Sequence, residues 1–125
     1  MRFDIAGHKC EAFLCQQYRH KGQLVDEANV LFLKTDSKLW YRICFDCGVL
    51  FWQEVKEPSS PPSHAAHDYP QVDLASKYKL GGRLIEKVWQ DLTPMQGKLG
   101  LNFEGGTQII LQNSNDRSIL EIRSS

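Results

Sequence analysis

Hydrophobic and polar positions alternate most cleanly between Leu39 and Phe45, where Leu39, Tyr41, Ile43 and Phe45 fall on one side and Trp40, Arg42 and Cys44 on the other. A two-residue period sends successive side chains to opposite faces of a sheet, so the segment reads as a strand. Asp46-Cys47-Gly48 supplies turn chemistry, with Gly48 free to take a positive φ, and residues 49–55 return as the second arm of a hairpin. Both faces of that hairpin carry aromatics: by numbering parity Tyr41, Phe45 and Phe51 stand together, and Trp40 stands with Trp52. One face is expected in the core. The other needs a second sheet over it or stays as a sticky surface.

The same reading extends along the chain. Residues 28–35, an apolar run rich in β formers, predict a buried strand closed by a turn at Thr35-Asp36-Ser37-Lys38. Cys10, Phe13, Leu14 and Tyr18 recur at helical spacing with Gly22 beyond them, which predicts a short N-terminal helix over residues 9–18. Residues 57–70 (EPSSPPSHAAHDYP) hold four of the five prolines and three serines, so neither a ladder nor a helix is expected to run through this long flexible loop. Residues 74–80 predict a turn of helix ended by Gly81-Gly82. Residues 83–92 (RLIEKVWQDL) carry a helical stripe of Leu84, Ile85, Val88, Trp89 and Leu92, but their β-branched content and the strands that follow favour a strand. Leu99, Leu101 and Phe103 alternate, Gly105-Gly106 turns the chain, Ile109 and Leu111 return in step, and residues 118–123 follow a second turn. The expected fold is mainly β: an antiparallel sandwich or partly open barrel built from two meanders, with a short N-terminal helix. Its 125 residues suit a single domain.

Composition narrows the function. With 42% hydrophobic and 24% charged residues the chain has an ordinary globular balance, not a disordered one. Fifteen acidic residues match fifteen basic ones, which removes the basic excess that nucleic-acid binders use to gather phosphates. The balance is uneven, however. Residues 22–76 hold eight acids (Asp26, Glu27, Asp36, Asp46, Glu54, Glu57, Asp68, Asp73) against four bases (Lys34, Lys38, Arg42, Lys56), a local charge of −4 that favours a basic protein partner. The start, Met1 to Gly7, resembles no signal peptide, and no apolar run approaches a membrane span; a cytosolic protein with reduced thiols is expected.

Candidate chemistry is sparse. Cys44-x-x-Cys47-Gly48 has the form of half a zinc knuckle and would need two more ligands from Cys10 and Cys15, with His8 and His20 nearby, or from His64 and His67. A hairpin turn explains the same residues. No nucleophile elbow, carboxylate pair or phosphate-cradling loop is present, so neither catalytic residue nor cofactor is expected, and the chain reads as no enzyme. Trp40, Trp52, Tyr41 and Phe51 beside Lys38 and Arg42 form a possible stacking platform for single-stranded nucleic acid, against which stands simple core packing.

The stretch from Ala28 to Val55 (ANVLFLKTDSKLWYRICFDCGVLFWQEV), the Gly82-x-x-Ile85-x-x-Val88 element and the closing meander resemble small bacterial proteins encoded beside polymorphic toxins. They are similar in size and style to the immunity proteins of contact-dependent growth inhibition. The resemblance implies a cytosolic, non-catalytic protein that binds one toxin domain, a basic nuclease in many such pairs, and blocks it. Binding then falls to Asp36, Asp46, Glu54, Glu57, Asp68 and Asp73, with Trp52 or Tyr69 as aromatic anchors. The alternatives are a single-strand-binding β-barrel and a zinc-stabilised adaptor.

Overall fold

The computed structural model describes residues 4–64 and 66–124. Two antiparallel sheets face each other as an open sandwich. The first is a meander of β1 (Cys10–His20), β2 (Gln23–Thr35), β3 (Trp40–Asp46) and β4 (Val49–Val55), with the short β5 (His67–Asp68) and β6 (Gln71–Asp73) added along the free edge of β1. A single helical turn, α1 (Leu74–Lys77), capped by the Asp73 carboxylate on the Ser76 amide, leads out of it. The second sheet is the meander β7 (Ile85–Leu92), β8 (Gln96–Phe103), β9 (Gln108–Ser114) and β10 (Arg117–Arg123). Residues 83–92 are thus mainly strand, as their neighbours imply.

The predicted N-terminal helix is replaced by β1. Cys10, Phe13 and Cys15 of that segment are buried in the shared core, and nine of the eleven residues of β1 pair with β2, from Cys10↔Thr35 to His20↔Gln23. Helical spacing misleads here because register shifts interrupt β1, so its apolar residues do not keep a strict two-residue period. The proline loop also needs correction at its end. His64 and His67 exchange backbone hydrogen bonds, and β5 pairs Arg19↔Asp68 and His20↔His67, so a ladder does enter residues 57–70 after the last Ser-Pro run. Ala65 of that loop lies outside the described residues.

The two inner faces meet in one core that includes Phe13, Leu31, Leu33, Ile43 and Trp52 from the first sheet and Leu99, Leu101, Phe103, Ile109 and Leu111 from the second. The β3–β4 register fixes which hairpin aromatics belong to it. Its partners are Ile43↔Trp52, Cys44↔Phe51 and Trp40↔Val55, so each pair joins an odd to an even number and parity inverts across the turn. Tyr41, Phe45 and Trp52 therefore point inward together. Phe51 joins Trp40 on the outer face, in place of the grouping that numbering alone implies. There Val30, Phe32 and Cys44 form a second apolar cluster flanked by Leu14, Trp40 and Val55.

Two different devices tie the sheets at their flanks. On one side the strand entering β1 pairs with the start of β7: Gly7 N donates to Ile85 O, Ile85 N to His8 O, and Cys10 N to Arg83 O, all at 2.8–2.9 Å. On the other, carboxylates of β2 cap the edge of β10, Asp26 accepting from Ser118 N at 3.0 Å and Glu27 from Leu120 N at 2.7 Å.

Candidate partner-binding surface

Because β1 and β3 run in the same direction, and β7 and β9 start at the end of the sandwich where β1 starts, four strand-to-strand turns gather at the opposite end. Three of them border one shallow cleft of about 190 Å³: Cys47-Gly48 between β3 and β4, Thr93-Pro94-Met95 between β7 and β8, and Asn115-Asp116 between β9 and β10. Two are tight turns with consecutive left-handed residues, Cys47 (φ 50°) with Gly48 (φ 78°) and Asn115 (φ 54°) with Asp116 (φ 58°), the geometry that matches the twist of antiparallel strands. The third is held by Thr93, whose Oγ1 accepts from Gln96 N at 3.1 Å. The turns project Met95, 79% exposed, with Val49 and Leu92 about half exposed beside them. Asp46 and Asp116 supply negative charge close enough that both push the Cys47 thiol above its ordinary range, Asp46 more strongly. Arg117 is the adjoining base.

The other residues assigned to binding from the sequence do not join this surface. Asp36 lies in the β2–β3 turn at the opposite end, where the His8 ring, 2.8 Å away, holds its carboxyl below the usual range. Glu54 and Glu57 are exposed near the end of β4, beside the same end. Asp68 is engaged by Arg19 at 2.5 Å, which lowers its pKa through that hydrogen bond. Asp73 is spent on capping α1. Tyr69 stacks on Tyr18, ring centroids 5.3 Å apart. Trp52 is only 9% exposed and packs in the core, with its Nε1 lacking a partner among the described residues, so it cannot act as a surface anchor. Of the eight, Asp46 alone sits in the turn cluster. Met95, Leu92 and Asp116 were missed because nothing in a lone turn sequence reveals which other turns it will meet.

The cysteines do not converge. Cys10 and Cys15 face the core, where burial above all, with nearby carboxylates, pushes both thiols up to about 12. Cys44 is buried on the outer face with Arg42 Nη1 3.3 Å from its sulfur, and Cys47 is exposed in the turn. A knuckle joining Cys44 and Cys47 to Cys10 and Cys15 is therefore not formed. No group of three or more His, Cys, Asp or Glu among the described residues is arranged to hold a metal ion. The nucleic-acid platform is likewise divided, since Trp52 and Tyr41 point into the core and Trp40 and Phe51 away from it.

No helix among the described residues is long and apolar enough to cross a membrane. No family model, curated protein or solved structure matches the chain.

Proposed function

We propose that this chain is a non-catalytic binding protein, an immunity protein that seats the turn end of its sandwich on a basic toxin domain and blocks it. The observation that carries the reading is the meeting of the Cys47-Gly48, Thr93-Pro94-Met95 and Asn115-Asp116 turns, anchored in both sheets, around one cleft at which Met95 stands 79% exposed beside Asp116, with Asp46 next to the Cys47 turn. Apolar side chains ringed by charge are the usual anatomy of a protein docking site, with central anchors supplying affinity and rim charges supplying rate and partner choice. A rigid scaffold also lowers the entropic cost of ordering the interface. The acidic bias of residues 22–76 reaches this surface through Asp46; Asp26, Glu27, Asp68 and Asp73 make internal contacts instead.

The experiment is co-purification of the chain with the toxin domain encoded beside it, together with rescue of cells expressing that toxin. A one-to-one complex is expected. Met95→Lys is expected to weaken it by about 1–3 kcal/mol, roughly 5- to 150-fold in Kd, and Asp46→Lys to slow association in low salt. Glu54→Lys and Glu57→Lys, near the opposite end, should leave it intact. A complex lost through Glu54 or Glu57 but indifferent to Met95 and Asp46 places the interface elsewhere. Absence of any complex or rescue removes the reading.

A further inference from the structure

Outside that surface, three of the four histidines stand side by side where the proline segment rejoins the first sheet. His67 pairs in register with His20 of β1 and, through its mutual backbone hydrogen bonds, with His64. Residues directly opposite across antiparallel strands place their side chains on the same face, so the three imidazoles form a cross-strand row. Ring centroids are 4.8 Å apart for His20 and His67 and 4.8 Å for His64 and His67. The Nδ1 atoms of His20 and His67 are 3.4 Å apart, and the phenol oxygen of Tyr18 lies 2.6 Å from His67 Nδ1. Two nitrogens each about 2.0–2.1 Å from a tetrahedral ion are separated by roughly 3.4 Å, so the pair already has the spacing of one edge of such a site.

We propose that His20 and His67 form a two-nitrogen clamp for a transition-metal ion of the imidazole-preferring class, Zn²⁺, Cu²⁺ or Ni²⁺. The third imidazole, His64, is exposed and reaches the ion by rotation of its side chain, and water completes the sphere; the Tyr18 hydroxyl, 2.6 Å from His67 Nδ1, is too close to that nitrogen to share the ion and gives up its hydrogen bond when the ion enters. The adjacent Arg19–Asp68 pair is internally balanced, so it adds no net repulsion. The ion would close a clasp between β1 and the end of the segment that crosses from β4. The proposal is independent of the docking reading, uses none of the cysteines, and needs no residue of the turn cluster.

The test is calorimetric titration of the full chain with ZnCl₂ and with CuCl₂ alone, paired with electron paramagnetic resonance of the Cu²⁺ form. Saturation at one equivalent with nitrogen hyperfine structure is expected, and His20→Gln and His67→Gln should each weaken binding by about tenfold or more while circular dichroism is unchanged. His64→Gln should weaken it less, and Cys47→Ser, which removes the exposed thiol, should leave it unaltered. Added Zn²⁺ should also slow proteolysis between residues 57 and 66. Binding that survives the His20→Gln/His67→Gln double variant, disappears in Cys47→Ser, or never saturates near one equivalent overturns the site.

Discussion

Cys47 is the exposed member of a set whose other three thiols are buried, and its two carboxylate neighbours work against its reactivity. Only the thiolate attacks a disulfide reagent, so negative charge from Asp46 and Asp116 keeps less of it available at neutral pH. Cys10 and Cys15, raised to about 12 by burial, stay protonated and shielded. Titration of the native protein at pH 8 with a chromogenic aromatic disulfide should therefore release one equivalent slowly, and four after denaturation. Asp46→Asn should speed the native reaction, because it removes the largest influence holding the thiol up. More than one native equivalent, or no response to Asp46→Asn, contradicts this placement. The same residues show what a short motif conceals: C-x-x-C gives the spacing of Cys44 and Cys47, but strand direction sends one sulfur beneath the outer face and the other into a turn.

At the scale of elements, the second meander was the most legible part of the chain, since Leu99, Leu101, Phe103, Ile109 and Leu111 keep a strict two-residue rhythm and all reach the core. β1 was the least legible, its rhythm broken by register shifts. Trp89 shows why residues 83–92 looked ambiguous. Its indole lies over Gly100, its register partner on β8, and donates from Nε1 to Asn102 Oδ1 at 3.1 Å; it covers the outer face of the sheet and adds an apolar position out of strand phase. A Cβ at Gly100 would overlap that ring. Gly100→Ala should thus cost about 1–3 kcal/mol in urea unfolding, through displacement of the indole. Combined with Trp89→Ala, the Gly100→Ala substitution should become nearly neutral, a non-additivity expected of groups in contact. Equal cost in both backgrounds would mean that the glycine serves the backbone and not the ring.

For the whole molecule, the open question is what keeps two sheets together when they close into a barrel on neither side. One flank is joined by main-chain hydrogen bonds between residues 7–10 and 83–85, which no side-chain substitution removes. The other depends on Asp26 and Glu27 accepting from the amides of Ser118 and Leu120. In the sequence these two acids counted toward a surface charge of −4; their role became visible only when the second meander was set beside β2, a long-range relation that local patterning does not encode. They also blunt the edge of β10, which would otherwise offer free amides to another chain. A hydrogen bond to a charged acceptor contributes about 1.5–3 kcal/mol, so Glu27→Ala should lower unfolding free energy by about that amount and speed hydrogen exchange at Leu120 N. Glu27→Gln retains an acceptor oxygen and should lose less. Because the main-chain flank survives, exchange at Ile85 N should remain slow in both variants. If Ile85 loosens as much as Leu120, the flanks open together and the sandwich unfolds as one cooperative unit; if only Leu120 responds, β10 frays as a separate local opening.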